Sequence, residues 1–211
     1  MKLQAALDTL TLEQCIDLLE QTKDSIDIAE VGTPFIIEQG MHPVRTLKEK
    51  FPSIEILADA KIMDAGEFEA DKCFENGADI VTVLGVANDA TIEGVVRSAK
   101  KHGKQVMVDM IEVKDLKKRT KEIDQMGVDY ICVHTAFDIQ QTGKDPLDEL
   151  KIVNSVIQNA QSAVAGGVKL NTMDEIVKQG AGIIVAGGAI CNAEDKAGMT
   201  KAMKEKMKDE Q

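Results

Sequence analysis

Leu3-Gln4-Ala5-Ala6-Leu7-Asp8-Thr9-Leu10-Thr11 is the stretch on which the architecture turns. Residues 3–7 form a mostly apolar run of strand length, and Asp8 ends it. An open, doubly wound sheet normally follows its first strand with a glycine-bearing phosphate loop, and Asp8-Thr9-Leu10-Thr11 has no glycine. Thr11 followed three residues later by Gln14 fits a capping box instead, so a helix begins here. Leu12, Cys15, Ile16 and Leu19 then give that helix one apolar face.

This strand–helix unit recurs along the chain. Further strand-length runs lie at Ser25–Val31, Glu55–Ala60, Asp79–Leu84, Gln105–Met110, Tyr130–Val133, Ser162–Ala165 and Ile183–Ala186. Most are apolar on both faces, as in a parallel sheet covered by helices. Ile92, Val95, Val96 and Ala99 mark another amphipathic helix, and Gly77, Gly103 and Gly127 stand where helices would end in a left-handed residue. Eight strands alternating with helices imply an α/β fold, a closed (β/α)8 TIM barrel shorter than the usual ~250 residues. No Pro- or Ser-rich linker divides the chain, so residues 1–211 read as a single barrel domain.

Composition narrows the function classes. Among 211 residues, 36 are acidic and 25 basic, a formal net charge of -11, which argues against nucleic-acid or anionic-membrane partners. No apolar run is long enough to span a membrane, and the start lacks a signal-peptide core. Cys15, Cys73, Cys132 and Cys191 are scattered without CxxC spacing and read as reduced thiols of a cytoplasmic protein. The ten methionines read as core filler in a chain with no Trp, one Tyr and five Phe, and Lys196 to Lys208 as the solvated face of a last helix.

In a barrel, chemistry sits where strands end and βα-loops begin. Here the ends carry Asp8, Glu30, Asp59-Ala60-Lys61, Asp109 with Glu112, and His134, followed by Gly166-Gly167 and Gly187-Gly188 on the last two strands. Side chains two apart share a strand face, so Asp59 and Lys61 point the same way, with Asp64 just beyond. Such charges are costly to bury unless mutually paired. Glu30 and Asp59 suit a hard divalent cation, Mg²⁺ or Mn²⁺, with substrate oxygens completing its shell. Lys61 is placed to stabilise an oxyanion, and His134 to act as acid or base. His42 and His102 read as solvated or capping residues. The paired glycines let backbone N–H groups approach a phosphate. Together these suit a phosphorylated sugar and an enediolate intermediate.

Asp59-x-Lys61-x-x-Asp64, with Asp8 and Ala29-Glu30-Val31-Gly32-Thr33-Pro34, resembles the orotidine monophosphate decarboxylase superfamily, and over essentially the whole chain its 3-hexulose-6-phosphate synthase branch. The resemblance implies condensation of D-ribulose 5-phosphate with formaldehyde to D-arabino-hex-3-ulose 6-phosphate, using Mg²⁺ or Mn²⁺ held by Glu30 and Asp59. It implies a homodimer with shared active sites, Asp64 serving the neighbouring subunit. His134 is then the general base and Lys61 the stabiliser of the enediolate. Asp8 and Asp64 hold Lys61 charged, and Glu112 assists proton traffic or orders water. Gly166, Gly167, Gly187 and Gly188 receive the phosphate.

The keto-gulonate-phosphate decarboxylase branch is the nearest alternative. It typically carries arginines where this chain has Phe137 and Gly188, and the Asp138–Gly143 segment also favours the synthase. A Schiff base on Lys61 would need a neutral amine, which flanking carboxylates oppose. A non-catalytic sugar-phosphate-binding barrel is the remaining alternative, since fold does not fix function.

Overall fold

The structure, a computed structural model, describes residues 1–142 and 146–208; Gly143 of the Asp138–Gly143 segment lies outside them. Eight parallel strands close into a barrel in sequence order: β1 (Lys2–Ala6), β2 (Ile28–Val31), β3 (Glu55–Ile62), β4 (Ile80–Leu84), β5 (Gln105–Asp109), β6 (Tyr130–His134), β7 (Gln161–Ala165) and β8 (Ile183–Ala186). Closure is made by β8 on β1, with Leu3 beside Ile184 and Ala5 beside Ala186.

The outer ring is α1 (Leu12–Thr22), α2 (Thr33–Gln39), α3 (His42–Lys50), α4 (Gly66–Glu75), α5 (Asp89–His102), α6 (Leu116–Asp124), α7 (Leu147–Asn154), α8 (Met173–Lys178), the single turn α9 (Gly188–Cys191) and α10 (Lys196–Lys206). Thr11 and Gln14 form the capping box of α1. Gly77, Gly103 and Gly127 take φ of +97°, +65° and +81°, the left-handed exits that side-chain-bearing residues rarely adopt.

The two-sided apolar character of the strands follows from two separate cores. Outward residues such as Leu3, Val31, Ile56, Val81 and Ile184 pack under the helices. Inward residues Ile28, Leu57, Ile80, Met107, Tyr130, Cys132, Ala163, Ile183 and Val185 fill the barrel. All four cysteines are buried free thiols; burial pushes the Cys15 thiol up to about 12, and those of Cys73 and Cys191 up to about 11. They are packing residues, not nucleophiles.

Two strand limits differ from the sequence reading by more than one residue. The second strand begins at Ile28 because the amides of Ser25 and Ile26 are spent closing α1 on Thr22 O, at 2.8 and 3.0 Å. The third extends to Ile62, past a break in its pairing with β4 between Ala58 and Ile62. That break carries Lys61.

One buried carboxylate anchors the scaffold away from the mouth. Asp124, at the end of α6, accepts the amides of Gln158, Asn159 and Ala160 at 3.0, 3.1 and 2.9 Å, fixing the approach to β7. Burial opposes its ionisation, but these N–H donors hold its pKa below the ordinary carboxylate value. Asp124→Asn is expected to cost about 2 kcal/mol at pH 7 in a denaturant titration, because its NH₂ faces amide donors. A depressed pKa stabilises the fold above the unfolded value of ~3.9 and loses that contribution as pH falls through the folded value. The wild-type advantage should therefore persist at pH 5 and shrink below pH ~3.9.

Candidate active site

The C-terminal ends of the strands converge on a charged mouth. β3 turns both Asp59 and Lys61 toward it, and Lys61 Nζ lies 2.7 Å from Asp59 Oδ2 and 3.1 Å from Asp109 Oδ2. Asp109 closes β5 and also accepts His134 Nδ1 at 2.8 Å from the end of β6. The result is a continuous chain, Asp59–Lys61–Asp109–His134, across three strand ends. Asp59 and Asp109 are 5% and 4% exposed, so the pairing is what makes their burial tolerable.

The electrostatics follow from this packing. Burial alone would lower the proton affinity of Lys61, but Asp59 and Asp109 more than reverse it, and its pKa is raised. Burial would raise the pKa of Asp109, yet His134 and Lys61 hold it below the usual carboxylate value. Asp109 is thus an acceptor, and the proton between the two groups belongs to His134 Nδ1. His134 Nε2 makes no hydrogen bond among the described residues.

Beside this chain stands a group of carboxylates. Glu30, on β2, receives Gln4 Nε2 at 2.6 Å on Oε2, and Oε1 accepts no hydrogen bond among the described residues. Burial first, then the charges of Asp59 and Asp8, raise the Glu30 pKa well above its ordinary value. Asp8 rests on Gly32, where an added Cβ would overlap its carboxylate at 2.0 Å. Partial desolvation and Asp59 raise its pKa too, although its outer side opens to solvent. No group of three or more His, Cys, Asp or Glu arranged to hold a metal ion occurs among the described residues. The chain nevertheless offers Glu30 and Asp59 as hard oxygen donors in a negative site. That suits Mg²⁺ or Mn²⁺, which bind through one or two carboxylates and leave positions for substrate oxygens.

The glycine pairs separate into two kinds. Gly166 and Gly167 take φ of +95° and +75°, and a Cβ on Gly166 would meet Thr135 O at 2.4 Å, so that turn requires glycine. Gly187 and Gly188 have no such need: a Cβ would come no nearer than 3.5 Å to Ala6 and 3.3 Å to Asn192. Their bareness instead leaves the start of α9 open, in the place where barrels commonly bind phosphate.

Two expected site residues lie outside this chain's own cluster. Glu112 is exposed, sits in a left-handed conformation at φ +60° and pairs with Lys114 at 3.3 Å, outside the cluster. Asp109, named among the charged strand ends but given no role there, is the carboxylate that meets His134. Strand parity could have found it, because Asp109 shares the inward face of Met107. Asp64 is also exposed, its carboxylate accepting the Ala65 amide at 2.8 Å, so Lys61 is held by Asp59 and Asp109 within this chain. Thr33 and Thr82 were missed as well. Thr33 Oγ1 donates to Asp59 O at 2.7 Å, and Thr82 Oγ1 to Asp59 Oδ1 at 2.8 Å. A lone polar residue in the apolar run Ile80–Leu84 was the available signal for Thr82.

The Orotidine 5'-phosphate decarboxylase / HUMPS family model matches residues 1–203. A 3-hexulose-6-phosphate synthase of Bacillus subtilis is 48% identical over 205 residues, 97% of this chain and 98% of that protein. The crystal structure of 3-hexulose-6-phosphate synthase from Salmonella typhimurium superposes with a TM-score of 0.95 at 44% identity, covering 98% of each chain. A 3-keto-L-gulonate-6-phosphate decarboxylase from Vibrio cholerae shares the fold, with a TM-score of 0.84 at 24% identity over 98% of this chain and 96% of that one. The charged mouth and these likenesses agree: the chain belongs to the orotidine 5'-phosphate decarboxylase / HUMPS family.

Proposed function

We propose that this chain catalyses the reversible aldol condensation of D-ribulose 5-phosphate with formaldehyde to D-arabino-hex-3-ulose 6-phosphate, as a carbon–carbon lyase of the cytoplasm. The observation that carries the reading is the Asp59–Lys61–Asp109–His134 chain, an ammonium and an imidazole tied through one buried carboxylate. It is supported by near-half identity, over the full length, to proteins named for this reaction.

In this reading His134 Nε2 removes a proton from C1 of the sugar phosphate. Asp109 orients the ring and offsets the imidazolium charge that results. Lys61 stabilises the negative charge spreading onto the enediolate oxygens. The nucleophilic carbon then forms a bond to the formaldehyde carbon, and His134 returns its proton to the new hydroxyl. Backbone N–H groups at Gly166, Gly167, Gly187 and Gly188 hold the phosphate, distant from the reacting carbon. Glu30 and Asp59 would hold Mg²⁺ or Mn²⁺, which supplies Lewis-acid stabilisation of the same oxygens when bound.

The deciding experiment follows formaldehyde consumption with ribulose 5-phosphate, with and without a chelator. Condensation lost on chelation and restored by Mg²⁺ or Mn²⁺ supports the reading. Release of CO₂ from 3-keto-L-gulonate 6-phosphate with no condensation would replace it by the decarboxylase.

The chain is further proposed to act as a homodimer in which Asp64 completes the neighbouring site. Asp64 is surrounded in sequence by large exposed apolar residues, Met63 at 51% and Phe68 at 67%, with Val86 and Ile37 also exposed on neighbouring βα segments. Large apolar side chains left exposed in this way favour burial by a second copy. Inactive Lys61→Met and Asp64→Asn chains, unfolded and refolded together, are expected to recover about one quarter of native activity. Half of the dimers are then mixed, and each mixed dimer holds one complete site of two. Recovery of none, in mixed dimers verified by mass, removes Asp64 from the shared site.

A further inference from the structure

We propose that Thr82 is a positioning residue that locks the backbone of Lys61 to the carboxylate of Asp59, so that both functional groups take a single geometry. Lys61 has φ +46°, a left-handed conformation that costs a side-chain-bearing residue on the order of 1–2 kcal/mol. It falls where the β3–β4 ladder is interrupted, between the Ala58–Val81 pair and the Ile62–Val83 pair. In an unbroken ladder the Lys61 amide would pair with a backbone carbonyl of β4. It donates instead to the Thr82 hydroxyl, at 2.9 Å.

That acceptance fixes what the hydroxyl does next. A threonine hydroxyl has one proton, and with the Lys61 N–H on its lone pair the proton goes to Asp59 Oδ1, at 2.8 Å. Asp59 Oδ2 is simultaneously engaged by Lys61 Nζ, at 2.7 Å, while the one proton of Thr33 Oγ1 is shared between Asp59 O, at 2.7 Å, and Oδ2, at 2.9 Å. Lys61 is therefore gripped at both ends by one carboxylate: directly at the ammonium, and through Thr82 at the amide. The plane of the Asp59 carboxylate is set by the same contacts. Thr82 is 3% exposed on the inner face of β4, out of reach of bulk solvent, so no water readily replaces it.

The proposal rests on the proposed reaction for its kinetic readout, and on Asp59 as a metal ligand only for its binding readout. Thr82→Val keeps the branched shape and loses the hydroxyl; Thr82→Ser keeps the hydroxyl and loses the methyl. Thr82→Val should lower kcat about 30-fold with KM for ribulose 5-phosphate changed less than about threefold, because the phosphate contacts are elsewhere. It should also weaken Mn²⁺ binding, read by electron paramagnetic resonance on the substrate-free protein, by about tenfold. Thr82→Ser should restore both to within about threefold of native.

A packing role predicts the reverse rank, since serine leaves a methyl-sized gap and valine fills it. Native kinetics and binding in Thr82→Val, or equal impairment in Thr82→Ser, would overturn the proposal. Should Thr82→Val fail to fold by circular dichroism, Thr82→Cys carries the same comparison with serine, sulfur being a poor hydrogen-bond partner. Absence of Mn²⁺ binding by the native protein would refute the metal reading alone. The serine–valine rank in kcat would still decide the role of Thr82.

Discussion

Lys61→Met is expected to lower kcat/KM for the condensation roughly a thousandfold, about 4 kcal/mol of lost transition-state stabilisation, while the barrel remains folded. The size of the effect follows from the charge balance at the mouth. Asp8, Glu30, Asp59 and Asp109 face one ammonium and one imidazole, and both buried aspartates touch Lys61 directly. Methionine preserves the apolar stem and removes the only fixed positive charge within reach of the developing enediolate among the described residues. The fold survives because neither aspartate is orphaned. Asp59 retains Thr33 and Thr82, and Asp109 retains His134 and the Ile111 amide. A melting temperature lower by roughly 5 °C is expected, corresponding to about 2 kcal/mol in a chain of this length. Lys61→Arg should also fail, by about a hundredfold, since a planar guanidinium cannot reproduce a point charge shared between two carboxylates. Borohydride should trap no adduct on the native protein, the raised pKa of Lys61 keeping it an ammonium. Activity of Lys61→Met within tenfold of native would refute the assignment.

The barrel was legible because each strand is doubly buried and each helix carries its own punctuation. The missing glycine after Leu7 excluded the open sheet, and Thr11, Gly77, Gly103 and Gly127 marked where helices start or stop. The site was legible in part, for a reason of the same kind. Charges at strand ends are conspicuous in apolar runs, so Asp8, Glu30, Asp59, Lys61, Asp109 and His134 stood out, and the structure brings them to one mouth. What sequence periodicity does not carry is the break in β3. Strand parity put Asp59 and Lys61 on one side but gave no sign that Lys61 would turn left-handed, or that a Thr82 side chain would replace a ladder acceptor. Nor does a single chain say what lies against Asp64, exposed beside Met63 and near Phe68.

The choice between two carboxylates three residues apart gives the sharpest remaining test. Asp109→Asn is expected to reduce kcat by about 10²–10³-fold, and Glu112→Gln to leave it within about twofold of native. Asp109 Oδ1 accepts the Ile111 amide at 2.9 Å, while Oδ2 accepts His134 Nδ1 and Lys61 Nζ. An asparagine cannot satisfy both sides, since its NH₂ must face donors whichever way it is turned. Facing Ile111, it loses a buried backbone contact and offers His134 and Lys61 only a neutral oxygen. Facing His134, it favours the tautomer with the proton on Nε2, and the lone pair that would take the C1 proton is gone. Both orientations weaken the base, so the loss falls on kcat, with KM for the sugar phosphate nearly unchanged. Glu112 supplies the contrast: its side chain is 66% exposed, its partner Lys114 is 89% exposed, and such a pair is worth little. Equal losses in the two variants, or a larger one in Glu112→Gln, would return the proton-relay role to Glu112 and sever the link between Asp109 and His134.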